Sequence, residues 1–199
     1  MSPQRISPQM EAALLECFLS ATRLLPLELR SSFILIGGAA TVFHNRKRFT
    51  QDVDVAASPE AIVHLHSAIS SGTTQFKVNA DPSQTIEFDS RQDILVHLEL
   101  LQIGGGFVDS IAAYEPFHDG FIASRADLLK LRGVTVADRG SDTDWADFMF
   151  LLEATALSGS ILPRMDRCTV EALKEVTGKL SKVDALVLIG LLQEEEEFI

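Results

Sequence analysis

Asp52 and Asp54 stand one apolar residue apart, thirteen residues after the pair Gly37 and Gly38, and this is the most chemically specific combination in the chain. Side chains on a strand alternate faces with a period of two. A strand through Asp52-Val53-Asp54-Val55 therefore puts both carboxylates on one side and both valines on the other. Neighbouring carboxylates repel unless a cation lies between them, and clustered Asp oxygens completed by substrate phosphates and water are what Mg²⁺ takes. The glycines carry no Cβ, so the backbone there can come close to a ligand. A helix opening after them would aim its first free N–H groups at an anion. A glycine turn for phosphates beside an Asp pair for metal points to nucleotide chemistry.

The elements that must hold these groups are short. Phe33-Ile34-Leu35-Ile36 is apolar and β-branched enough for a buried strand that the glycines end. Residues 39–43 can open a helix, and residues 50–56 read as a second strand. Upstream, Ser7-Pro8 offers an N-cap with Pro at the first helical position, and Met10, Ala13, Leu14, Cys17, Phe18, Ala21, Leu24 and Leu25 recur at helical spacing up to Pro26. Ser58-Pro59 repeats the device for a helix to about residue 70. Residues 75–79, 85–89 and 94–102 read as strands, the first two as a hairpin around Asp81-Pro82-Ser83, and Gly104-Gly105-Gly106 as a turn. Ser124-Arg125-Ala126-Asp127 forms a capping-box pattern for a helix to about residue 137, and another helix follows over residues 141–156. After Gly159 and Pro163, residues 169–177 and 181–196 read as two further short helices.

The segment Ile36-Gly37-Gly38, a spacer, then Asp52-Val53-Asp54-Val55 resembles the signature of the nucleotidyltransferase superfamily, the group that contains DNA polymerase β and antibiotic and toxin nucleotidyltransferases. Arg46-Lys47-Arg48-Phe49-Thr50 is similar to the basic lead-in of many toxin-type members, and the resemblance covers roughly residues 30–157. It implies an α/β (α+β) fold, a mixed twisted sheet of about five strands flanked by helices, with a helical C-terminal portion. The expected organisation is an N-terminal helix over residues 1–30, a nucleotidyltransferase-like core over 31–158 and a helical extension over 159–199. It also implies transfer of a nucleoside monophosphate from a nucleoside triphosphate to an acceptor, with Asp52, Asp54 and Glu99 binding one or two Mg²⁺ ions and acting in catalysis. Glu99 is the match to the family's third carboxylate, where Asp is commoner. Gly37, Gly38, Arg48, Thr50, Lys130, Arg132 and Asp144 are the implied nucleotide contacts.

Several of these residues have a second reading. Lys130 and Arg132 compete for one basic position; two apart on a helix, they do not share a face, so one is expected in solvent. With Ser141 as N-cap, Asp144 would simply complement a helix dipole. Arg46, Lys47 and Arg48 could be a solvated loop, although a basic cluster in an acidic protein would attract a triphosphate. His44, His64, His66, His97 and His118 form no metal-ligand spacing. A protein of this fold that binds or assembles without transferring anything, or one redirected to another small metabolite, is the alternative function.

Composition bounds the rest. A chain of 199 residues with 46% apolar and 23% charged residues fits one domain, with room for a small appended subdomain, and can bury a substantial core. A formal charge of −11 argues against a long nucleic acid as acceptor and favours a small molecule or a protein. Two cysteines, Cys17 and Cys168, suggest reduced thiols in the cytoplasm. The N-terminus has no signal-peptide pattern, and the longest apolar run, residues 185–192, is far short of the roughly 20 residues of a membrane span.

Overall fold

Apolar, β-rich segments of the sequence gather into one sheet in the first of two units, residues 1–123 and 124–199, into which the computed structural model divides the chain. The structure describes residues 5–44, 49–72, 74–78 and 86–192. In the first unit, α1 (Pro8–Leu24) and a 3-10 turn (Leu27–Ser32) lead into β1 (Phe33–Ile36), α2 (Gly37–Phe43), β2 (Asp52–Ala57) and α3 (Pro59–Ser70). Then come β3 (Phe76–Val78), β4 (Ile86–Asp89), β5 (Leu95–Gln102), β6 (Tyr114–Phe117) and β7 (Gly120–Ala123). The strands form a seven-stranded mixed sheet in the order β3-β4-β5-β2-β1-β7-β6. β2 runs parallel to β5 and β1 parallel to β7, and the other neighbours are antiparallel.

Val53, Val55, Val96, Leu98 and Phe88 are buried on one face of the sheet, where α1 and α3 pack. Of the stripe expected on α1, Met10, Ala13, Leu14, Cys17, Phe18 and Ala21 are buried, joined by Thr22, while Leu24 is half-buried. Ser7 caps that helix and Ser58 caps α3, each through its side-chain oxygen. Phe18 stacks on Phe33, ring centroids 6.2 Å apart, and lies so close to β7 that a Cβ on Gly120 would meet its ring at 2.9 Å. The hairpin expected between residues 75 and 89 pairs as β3 and β4, Phe76 opposite Phe88; its turn lies outside the described residues.

The sheet has seven strands where the sequence suggests about five. The two extra ones, β6 and β7, are a hairpin closed by His118 and Asp119, with Phe117 opposite Gly120 and His118 in the left-handed region at φ 52°. Pro116 sits in β6, which lies at the edge of the sheet, where a strand tolerates a residue without an N–H. Arg23 of α1 holds the turn through Asp119 at 2.7 Å.

The second unit is helical: α4 (Arg125–Asp138), α5 (Asp142–Leu157), α6 (Arg167–Thr177) and α7 (Lys182–Leu191). Ser124, Ser141, Asp166 and Ser181 cap them in turn. The capping box at Ser124 is reciprocal: its hydroxyl accepts from the Asp127 N–H at 3.1 Å and donates to the Asp127 carboxylate at 2.8 Å. α4 packs against both α5 and α6, and Gly133 lets Leu173 of α6 press onto the α4 backbone. Among the described residues, no helix is long and apolar enough to cross a membrane.

Candidate active site

β2 pairs on both sides, and its register assembles the acidic face. Asp54 lies opposite Glu99 of β5 and opposite Ile36 of β1, while Asp52 lies opposite His97. Directly paired residues present their side chains on the same face of a sheet. Asp52, Asp54 and Glu99 therefore share one face, turned away from buried Val53 and Val55. That face is not sealed: Asp52, Asp54 and His97 are half-buried and Glu99 is exposed. The row continues outward, His97 opposite Glu87 of β4 and Glu87 opposite Lys77 of β3, so ionisable side chains cross four strands in line.

The glycine turn meets this face at Asp54. Because Ile36 is the residue opposite Asp54, the chain turns into α2 immediately beside that carboxylate. Gly37 adopts φ +65°, and a Cβ there would overlap the Asp54 carboxylate, reaching its Cγ at 2.6 Å and its Cβ at 2.8 Å. Only glycine fits both the conformation and the space. The Gly38 N–H donates a long hydrogen bond to Asp54 Oδ2 at 3.4 Å. No side chain caps α2 from its own N-cap position, and Asp54 faces its first turn from across the sheet. Thr41 returns a hydroxyl to the Gly37 carbonyl at 2.8 Å and secures the turn from within.

The expected groups are brought together unequally. Asp52, Asp54, Glu99, Gly37 and Gly38 gather at the β1–β2–β5 centre of the first unit, and Thr50, buried, lies two residues before β2 begins. Arg48 lies outside the described residues. Among the described residues, no group of three or more His, Cys, Asp or Glu side chains is drawn together tightly enough to hold a metal ion. The three carboxylates share a face without closing on one point.

Lys130, Arg132 and Asp144 lie in the second unit. The expectation that one of the two basic residues faces solvent is corrected: both are buried, because α4 is covered by α5 on one side and α6 on another. Arg132 pairs with Asp144 at 2.7 Å and with Asp147 at 3.4 Å. Asp144 also accepts from the Ser141 hydroxyl at 2.6 Å and from Arg139 at 3.2 Å. Burial alone would raise the Asp144 pKa. The Ser141 hydrogen bond and the Arg132 and Arg139 guanidiniums outweigh it and hold the carboxyl below the usual range. The N-cap reading of Asp144 thus describes its contacts, with Arg132 as the buried counter-charge. His97, paired with Asp52, and Glu87, paired with His97 one strand further out, were not among the expected site residues, and no local motif marks them.

A pair of aspartates and a third acid on one strand face, beside a glycine turn on a mixed sheet, is similar to the arrangement expected of a nucleotidyltransferase-like protein. Residues 12–110 match the family model described as "Nucleotidyltransferase of unknown function (DUF6036)". The fold is similar to that of an antigenic nucleotidyltransferase-like protein from Paracoccidioides brasiliensis, with a TM-score of 0.63 and 16% identity over 94% of each chain. It is also similar to JHP933 from Helicobacter pylori, with a TM-score of 0.51 and 14% identity over 98% of this chain and 86% of that one. No curated protein matches the sequence significantly. The chain is nucleotidyltransferase-like in sequence over residues 12–110 and in fold over nearly its whole length.

Proposed function

We propose that the chain transfers a nucleoside monophosphate from a nucleoside triphosphate to a hydroxyl or other nucleophile of an acceptor, in a Mg²⁺-dependent reaction. The observation that carries this reading is the register that sets Asp52, Asp54 and Glu99 on one open face, with Asp54 against the Gly37 turn. Asp52 and Asp54 would hold the metal, since one or two carboxylates completed by substrate phosphates are a donor set that suits Mg²⁺. Bound there, it would offset charge on the phosphates and lower the pKa of the acceptor group. Glu99 would accept the acceptor's proton as the acceptor oxygen bonds to the α-phosphorus and pyrophosphate departs. The amides of Gly37 and Gly38, with Arg48 and Thr50, would face the β- and γ-phosphates, where fixed N–H dipoles favour the leaving charge. Arg132 and Asp144, paired with each other and with Asp147 and Arg139 in the second unit, are assigned no step in this scheme.

The acidic balance of the chain favours a small molecule or a protein side chain over a polyanionic acceptor. A binding or assembly module without turnover is the competing reading, and it gains from the failure of the three carboxylates to converge. Incubating the purified chain with Mg²⁺ and each α-labelled triphosphate, with and without cell extract, separates the two. Label transferred to a small molecule or protein supports the enzyme. Nucleotide bound but never turned over supports the module.

A further inference from the structure

The register that assembles the acidic face also fixes the side from which an acceptor arrives. Asp54 has the Gly37 turn on its β1 side and Glu99 on its β5 side. In an in-line displacement the attacking and leaving oxygens lie on opposite sides of phosphorus. With pyrophosphate at the glycine turn, the acceptor therefore approaches over β5 and β4. His97 stands there. It shares the face of Glu99, roughly 6–7 Å back along β5, with Asp52 of β2 on one side and Glu87 of β4 on the other.

The fold places this ring without using it. His44 is buried, and its Nε2 donates to the Ala123 carbonyl at 2.9 Å. His97 is half-buried on the open face, and among the described residues no hydrogen bond or ion pair engages either of its nitrogens. A neutral imidazole donates through one nitrogen and accepts through the other, so it can meet a hydroxyl, an amine or an amide of a ligand. Its surroundings restrict the choice. Asp52, Glu87 and Glu99 border it, and the nearby cation, Lys77, is drawn to Asp89 at 2.5 Å. A position ringed by carboxylates disfavours a phosphate or carboxylate group and admits a neutral or cationic one.

We infer that His97 binds the acceptor of the proposed reaction, hydrogen-bonding a second polar group while the reacting nucleophile sits at Glu99. The acceptor is then a neutral or cationic molecule with two such groups. This rests on the nucleotidyl-transfer reading and adds to it a binding residue and a substrate class. The test is transfer of α-labelled triphosphate with Mg²⁺ and graded amounts of cell extract, in wild type, His97→Ala and His97→Gln. Loss of one hydrogen bond should raise the half-saturating amount of extract about 3–10-fold in His97→Ala. The rate at saturating extract and the affinity for triphosphate, read by equilibrium dialysis, should stay within about two-fold. His97→Gln, whose amide still donates and accepts, should fall between wild type and His97→Ala. Circular dichroism and the denaturant midpoint should match wild type in both variants, because no bond of the fold is lost. Half-saturation unchanged in His97→Ala, triphosphate binding weakened as much as acceptor use, or labelled product that is an anionic acceptor overturns this inference alone. Absence of transfer by wild type overturns it together with the reaction on which it rests.

Discussion

Replacing Gly37 by alanine tests the contact on which the site's geometry rests. Two costs add. An L-residue at φ +65° loses about 1–2 kcal/mol relative to glycine. The new Cβ would also overlap Asp54, whose Cγ and Cβ stand 2.6 and 2.8 Å away on a strand paired on both sides and unable to retreat. Forcing an extra methyl into such a site costs about 1–3 kcal/mol. The sum is about 2–5 kcal/mol, a fall in Tm of roughly 4–20 °C for a chain of this size. Urea denaturation with m-values compared between variants measures it. Repeated in an Asp54→Ala background, which removes the carboxyl carbon and oxygens, the same change should cost about 1–2 kcal/mol less. Gly106→Ala, in open space without a positive φ, should stay within about 0.5 kcal/mol of the parent. Unaltered stability of Gly37→Ala, or an equal loss in both backgrounds, would refute the reasoning.

Asp144→Ala should cost about 3–5 kcal/mol in a denaturant titration, because it leaves the buried Arg132 guanidinium without its shorter partner; Arg139→Ala, at 67% side-chain exposure, should cost under about 1 kcal/mol. The lowered Asp144 pKa means its contribution is complete above the unfolded value of about 3.9 and is lost as pH falls through the folded one. Wild type should therefore lose more stability between about pH 5 and pH 2 than Asp144→Asn does, and parallel curves would contradict this. Cys17 is buried, and burial first, then Glu16, pushes its thiol pKa well up, whereas Cys168 is exposed; a thiol reagent should modify one cysteine in the folded chain and two after unfolding.

What the sequence disclosed follows from which interactions are local. Ser7, Ser58, Ser124, Ser141 and Ser181 announce helix starts because a cap bonds within three residues, and all five act as caps. The Asp52/Asp54 alternation was legible because strand period is local, and Gly37 was legible as a turn. The reason it must be glycine was not, since that reason is Asp54 arriving from β2. Register was equally hidden: nothing near His97 or Glu87 says that they stand in one row with Asp52. The β6–β7 hairpin escaped because Pro116 speaks against a strand unless it is known to lie at an edge, and because its turn is His118-Asp119 rather than the adjacent Asp119-Gly120. The burial of Arg132 together with Lys130 depends on how α5, the next helix, and α6, nearly thirty residues further on, pack against α4, and neither packing is written in the local sequence.

Pyrophosphate release from Mg²⁺ and nucleoside triphosphate, in the presence of the acceptor pool that takes the label, tests the central claim most directly. It should be compared among wild type, Asp54→Asn, Glu99→Gln and Asp119→Asn, the last a change in the exposed β6–β7 turn. The register of β1, β2 and β5 predicts turnover in wild type and Asp119→Asn and its loss in Asp54→Asn and Glu99→Gln. Turnover that survives both of the latter changes would show that the chemistry does not reside on this strand face.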